Sequence, residues 1–203
     1  MTTWGWLICA YVVAAIFSLL PTLYARAFGV KLHKDGASFN DSKFSADGKT
    51  RLIQHYSRLD GTLKFWKREA TVHGRFHWYC LCWTILSSSL MPFLTQVIDA
   101  SDIASKWFLT TVAAHIALLL GFHRGVKVAE RYRAFRHGES EFYDMYRRLL
   151  DRPETFGSDE KKQIETYFEE VEIIRRFVRN AETDNLPSLE VNRAETSGLK
   201  NGA

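Results

Sequence analysis

Formal charge is missing from long stretches of this sequence. Phe76 to Ile98 reads FHWYCLCWTILSSSLMPFLTQVI and Trp107 to Phe122 reads WFLTTVAAHIALLLGF, without one Asp, Glu, Lys or Arg. That absence excludes an ordinary surface helix, which carries a charged face opposite its apolar one. Cysteine is scarce: Cys9, Cys80 and Cys82 all fall inside apolar runs, which excludes a disulfide framework and fits a soluble part in a reducing compartment. There is no Gly-rich phosphate loop and no nucleophile with a base nearby in sequence, so the chain is read as a non-enzyme without a cofactor. The net charge of +4 is accounted for by the basic flanks of the apolar runs. It gives no reason to expect a nucleic-acid partner.

What is present is a hairpin. A hydrocarbon core about 30 Å thick is crossed by roughly 20 mostly apolar helical residues. The first run (76–98) meets that length, and the second (107–124) does so with Lys106 and Arg124 snorkelling to the headgroups. A pair of buried helices in a soluble bundle is the alternative. Lys64, Lys67, Arg68 and Arg75 precede the hairpin and Arg124, Lys127, Arg131, Arg133 and Arg136 follow it, whereas the loop carries Asp99, Asp102 and only Lys106. Cytoplasmic flanks collect Lys and Arg, so both open ends face the cytoplasm. Trp4 to Ala25 forms a third apolar run; no basic segment precedes it, while Arg26, Lys31 and Lys34 follow. It is read as a retained span (residues 1–28) with the N-terminus outside, a cleaved leader being the alternative.

Residues 29–48 read as a polar cytoplasmic linker. From Lys49, the positions Leu52, Tyr56, Leu59, Leu63, Trp66, Ala70 and His73 alternate steps of four and three, a heptad seam that predicts a helix running on into the span at Phe76. The second span is likewise expected to continue as helix, with Val128, Tyr132, Phe135, Phe142, Tyr146 and Leu149 on its seam and Glu139 interrupting it. Arg152-Pro153 ends that helix and Ser158 is the expected N-cap of the next, which runs to about Asn180. Residues 181–203 read as a disordered tail. The fold class is therefore all-α: an integral membrane protein with a transmembrane helical hairpin plus an extra N-terminal span, its hairpin helices extended into a cytoplasmic helical bundle.

Polar residues inside spans are functional candidates. Thr84, Ser88, Met91 and Thr95 share one helical face with Ser87 beside it, and Thr111 and His115 share a face of the second helix. Such stripes have two readings, close helix packing or the lining of a water-filled path through an oligomer. The candidate pore-lining set is Thr84, Ser87, Ser88, Thr95, Thr111 and His115. Arg75, Arg124, Lys127 and Arg131 are candidates for anionic lipid headgroups. His73, His77 and Cys80 lie four and three apart, with His123 at similar depth on the other helix. They could hold zinc or copper, but no carboxylate or established motif accompanies them, so no metal is assigned.

The basic, Trp-containing LKFWKREATVHGRFHWY, the tight hairpin, the Arg- and aromatic-rich ERYRAFRHGESEFYDMYRRL and a further C-terminal helix occur in that order between Lys49 and Asn180. In this layout the chain resembles the SLATT family, the SMODS- and SLOG-associating two-transmembrane effector domains of bacteria. The span at Trp4 to Ala25 departs from the simplest two-span members. The resemblance implies a homo-oligomeric, pore-forming effector of antiviral conflict in the bacterial inner membrane. Its trigger would be a genetically linked sensor or nucleotide-signal protein. The alternatives are a non-conducting scaffold that anchors a cytoplasmic partner, and a metal-gated transporter.

Overall fold

The computed structural model describes residues 3–29, 39–98 and 102–183. The centre of the linker, Asp99 of the hairpin loop and the tail from residue 184 lie outside the described residues. All regular structure among the described residues is helical: α1 Thr3–Phe28, α2 Ala46–Val97, α3 Ile103–Gly125, α4 Val128–Asp151 and α5 Glu160–Thr183, with 3-10 turns at Phe39–Asp41 and Pro153–Phe156. Three of these, α1, α2 and α3, are long and apolar enough to cross a membrane. The chain divides into two compact units, residues 1–33 with 67–133, and residues 34–66 with 134–203.

The first unit holds α1, the C-terminal part of α2, α3 and the start of α4. Little of its apolar surface is buried by the chain itself. Phe17 is 72% exposed, Phe93 67% and Leu118 60%, surface that water would drive together and hydrocarbon would not. Asp102 caps α3 by accepting the Ala104 N–H at 3.0 Å. At the other end the helix stops, contrary to the continuous helix expected from the seam. Gly125 ends α3, Lys127 takes a left-handed φ of 47°, and the N–H groups of Val126 and Lys127 turn back to the carbonyls of Phe122 and Arg124. Those bonds satisfy the terminal carbonyls that a helix end otherwise orphans. The C-terminal end of α1 is tied to α2 by Arg26, whose Nη1 donates to both oxygens of Glu69 at 2.9 and 3.0 Å. Glu69 is buried and also accepts from Arg68.

In the second unit the seam positions Leu52, Leu59, Leu63 and Trp66 are buried. They share the core with Phe135, Phe142, Tyr146 and Leu149 of α4 and with Ile164, Tyr167, Val171 and Val178 of α5. Phe39 and Phe44 are buried too, Phe39 lying edge-on to Tyr146 at 4.9 Å. The end of the linker is thus part of the core. Phe177 of α5 is half exposed and lies edge-on to His137, ring centroids 5.4 Å apart. Glu139 is buried and accepts from Arg136 Nη1 at 2.9 Å, which is how an acid interrupts an apolar seam without an unpaired charge. Helix α5 starts at Glu160, past the expected cap Ser158. Its first carboxylate is engaged from another segment, accepting the N–H of Ser45 at 3.0 Å and its hydroxyl. Those two bonds hold the Glu160 carboxyl below its ordinary value.

Candidate functional site

Polar groups from all three apolar helices meet around His115. Tyr11 of α1 hydrogen-bonds to His115 Nδ1 at 2.8 Å and to Ser87 Oγ at 3.0 Å. Tyr79 of α2 approaches His115 Nε2 at 3.3 Å. Trp83 stands 5.5 Å from the His115 ring and 5.0 Å from that of Tyr11, and its Nε1–H donates to Ser18 Oγ at 2.8 Å. Both imidazole nitrogens therefore have partners from the chain itself. An unpaired ring nitrogen would cost free energy here, and more in hydrocarbon than near water.

The six candidate pore-lining residues do not form one face. Ser87 is buried and, with His115, turned onto α1 through Tyr11. Within the chain, then, Ser87 is buried and His115 half-buried, both bonded to Tyr11. Ser88 and Thr95 are exposed and Thr84 half-buried, so Ser88 and Thr95 are the uncovered part of the α2 stripe. Thr95 bonds its hydroxyl back to the Pro92 carbonyl at 2.9 Å. Thr111, half-buried, bonds back to Trp107 at 2.8 Å.

The four metal candidates do not converge either. His77 Nδ1 and His123 Nε2 lie 2.7 Å apart, a hydrogen bond in which one ring donates to the other. His73 instead turns its Nδ1 to the Glu69 carbonyl oxygen at 2.9 Å, and Cys80 is buried. Among the described residues no group of three or more His, Cys, Asp or Glu is gathered to hold a metal ion.

Of the lipid-headgroup candidates, Arg124 and Lys127 are exposed and Arg131 is half-buried. Arg75 donates to the Pro21 carbonyl at 2.8 Å and so has a second task at the end of α1.

Two contributors escape a reading by spans and stripes. Tyr11 is a lone hydroxylated ring in the body of an apolar helix, and nothing in the sequence pairs it with Ser87 or His115. Glu69 left a clearer signal, as the single acid between Asp60 and Asp99 in a run rich in Lys and Arg. Comparisons with protein-family models, with curated proteins and with solved structures find no match.

Proposed function

We propose that the protein is an oligomeric, pore-forming or channel-like membrane effector, with α1, α2 and α3 as its spans. The observation that carries this reading is the hydroxyl-bearing α2 stripe, in which Ser88 and Thr95 are exposed and Thr84 is half-buried. Hydroxyls on an exposed face within hydrocarbon gain from meeting another copy's polar groups or water. The basic flanks favour the orientation with the N-terminus outside and α4 and α5 in the cytoplasm. The layout resemblance favours the bacterial inner membrane and a partner sensor as trigger. The cytoplasmic helices would assemble subunits and receive that trigger.

Dye-loaded liposomes test it. Oligomers of the full chain release dye, and Ser88→Leu with Thr95→Leu reduces release at equal incorporation. Verified oligomers that never leak, with or without a genetically linked partner, refute it. The second reading, a non-conducting anchor, is favoured by the internal satisfaction of Ser87 and His115. An anchor tolerates both leucines.

A further inference from the structure

One histidine of α2 meets a ring from each side of the turn that ends α3. His77 Nδ1 lies 2.7 Å from Nε2 of His123, in the last turn of α3, with ring centroids 5.0 Å apart. Tyr132 of α4 lies nearly parallel to His77, at 6.5 Å and 16°. Gly74 of α2 makes room for that ring, since a Cβ added there would come 2.9 Å from Tyr132 Cε2. All these residues belong to the first unit. Between His123 and Tyr132 the chain makes the turn through left-handed Lys127, where the seam alone favours an unbroken helix. His77 thus holds both arms of that turn against α2.

The facing nitrogens have room for one proton between them. With both rings neutral, one donates and the other accepts. A first added proton goes to the nitrogen that faces away on the accepting side of no bond, the His77 Nε2 when His77 is the donor. The bond then remains and becomes charge-assisted. A second proton has only the facing nitrogen of His123 left. Both facing nitrogens then carry hydrogen, no acceptor remains, and two positive rings stand 5.0 Å apart. The surroundings do not offset that charge. Arg133 of α4 acts on His77, and among the described residues no carboxylate does. Arg131 of α4 is half-buried beside Tyr132, Arg124 of α3 is exposed, and Arg75 of α2 is turned to the Pro21 carbonyl. Of the acids nearest in sequence, Glu69 is engaged by Arg26 of α1 and by Arg68, with His73 3.7 Å away, and Glu130 is exposed. Both imidazoles are half-buried, so protons from solution reach them. We propose that His77 and His123 form an acid-opened latch: protonation of both rings breaks their bond, frees the C-terminal end of α3 from α2 and loosens the turn at Lys127. Histidine is the side chain whose charge changes in the mildly acidic range. The proposal rests on neither pore formation nor orientation in a bilayer.

The full chain in detergent, with EDTA present so that no divalent ion replaces the proton, is digested with a Glu-specific protease from about pH 7.5 down to about pH 5. Cleavage after Glu130, just past the turn, is measured against an added peptide of residues 126–134, which cancels the protease's own pH dependence. The expected result is a rise in the acid limb of up to about tenfold per pH unit, the slope of one proton taken up on opening. His123→Gln and His77→Gln should stay at the neutral-pH level, because glutamine can donate to a neutral imidazole and accept from a charged one. Nitrogen-15 spectra of histidine-labelled wild type need no variant: coupling across the His77–His123 bond should disappear as cleavage rises. An equal rise in both glutamine variants overturns the latch. So does a wild type that stays flat, or coupling that persists while cleavage rises.

Discussion

Adding a single carbon at Gly138 probes how tightly the second unit is packed. A Cβ built there would run into Cγ2 of Val178 and lie 3.5 Å from the Trp66 ring. Val178 is 1% exposed and Trp66 5%, so neither can move into solvent. Valine in a helix is held near one χ1 rotamer; the methyl cannot swing clear, and α5 must shift from α4. Overpacking of this kind costs about 1–3 kcal/mol. Alanine returns about 0.8–1.0 kcal/mol of helix propensity relative to glycine. Gly138→Ala should therefore destabilise the unit by about 1 kcal/mol net. Val178→Ala alone removes about two buried methylene equivalents, roughly 1.6 kcal/mol before any cavity term. Together the two changes should cost less than their sum by about 1–2 kcal/mol, because the new Cβ occupies the space the valine vacates. Hydrogen exchange of the full chain in detergent, read on peptides from α4 and α5, measures all three variants. If Gly138→Ala raises protection by the whole propensity gain, or if the pair is strictly additive, the close approach at this position is refuted.

Cysteine accessibility checks the membrane reading. Cys9 and Cys82 are exposed on the isolated chain, so in liposomes both should resist a charged maleimide, react with a lipid-soluble one, and label with either in denaturant. Ready labelling of Cys82 by the charged reagent in intact vesicles would refute it. His55 predicts a pH dependence of the second unit. Burial foremost, then the Arg175 and Arg58 charges, push its pKa below the ordinary 6.5, with Glu172 opposing. The folded state thus takes up the proton less readily than the unfolded one, so stability is intact above pH 7 and falls as pH drops through 6.5 toward the lowered value. His55→Phe, which keeps the 4.1 Å stack on Phe168, should flatten that acid limb in urea titrations; an unchanged limb means other groups cause it. At the C-terminal end of α1, Arg26→Gln leaves the buried Glu69 with Arg68 and His73 nearby. It should speed protease cleavage near residue 29 in detergent, and Arg26→Leu with Glu69→Leu should restore resistance, since removing both charges is cheaper than stranding one. If Arg26→Gln leaves cleavage unchanged, the clamp does not hold the helix.

Much of the helical layout was legible from two simple periods. The charge-free runs fall almost wholly within α2 and α3, and α2 passes through Phe76 without a break because its seam and its span both suit one continuous helix. Legibility fails where the deciding contact is distant in sequence. The break after Gly125 depends on a left-handed Lys127, a state that lysine does not advertise. The start of α5 depends on Ser45, which claims the Glu160 carboxylate from another segment. The inward turn of Ser87 and His115 depends on Tyr11, more than seventy positions from Ser87 along the chain. A stripe of hydroxyls identifies a face of a helix but not its neighbour. The sequence could therefore group Ser87 with Ser88, whereas packing separates them.

The Tyr11 hydroxyl has a consequence for how the first helix is used. An anchor that merely tethers a protein can be clipped away with little effect on the rest. Clipping this one would strip Ser87 and His115 of a shared partner and, where the helices cross a bilayer as their length and composition allow, leave an imidazole that hydrocarbon cannot satisfy. Proteolysis between α1 and α2 followed by loss of α1 would thus do more than release a tether. It would turn a sealed seam into a wettable one.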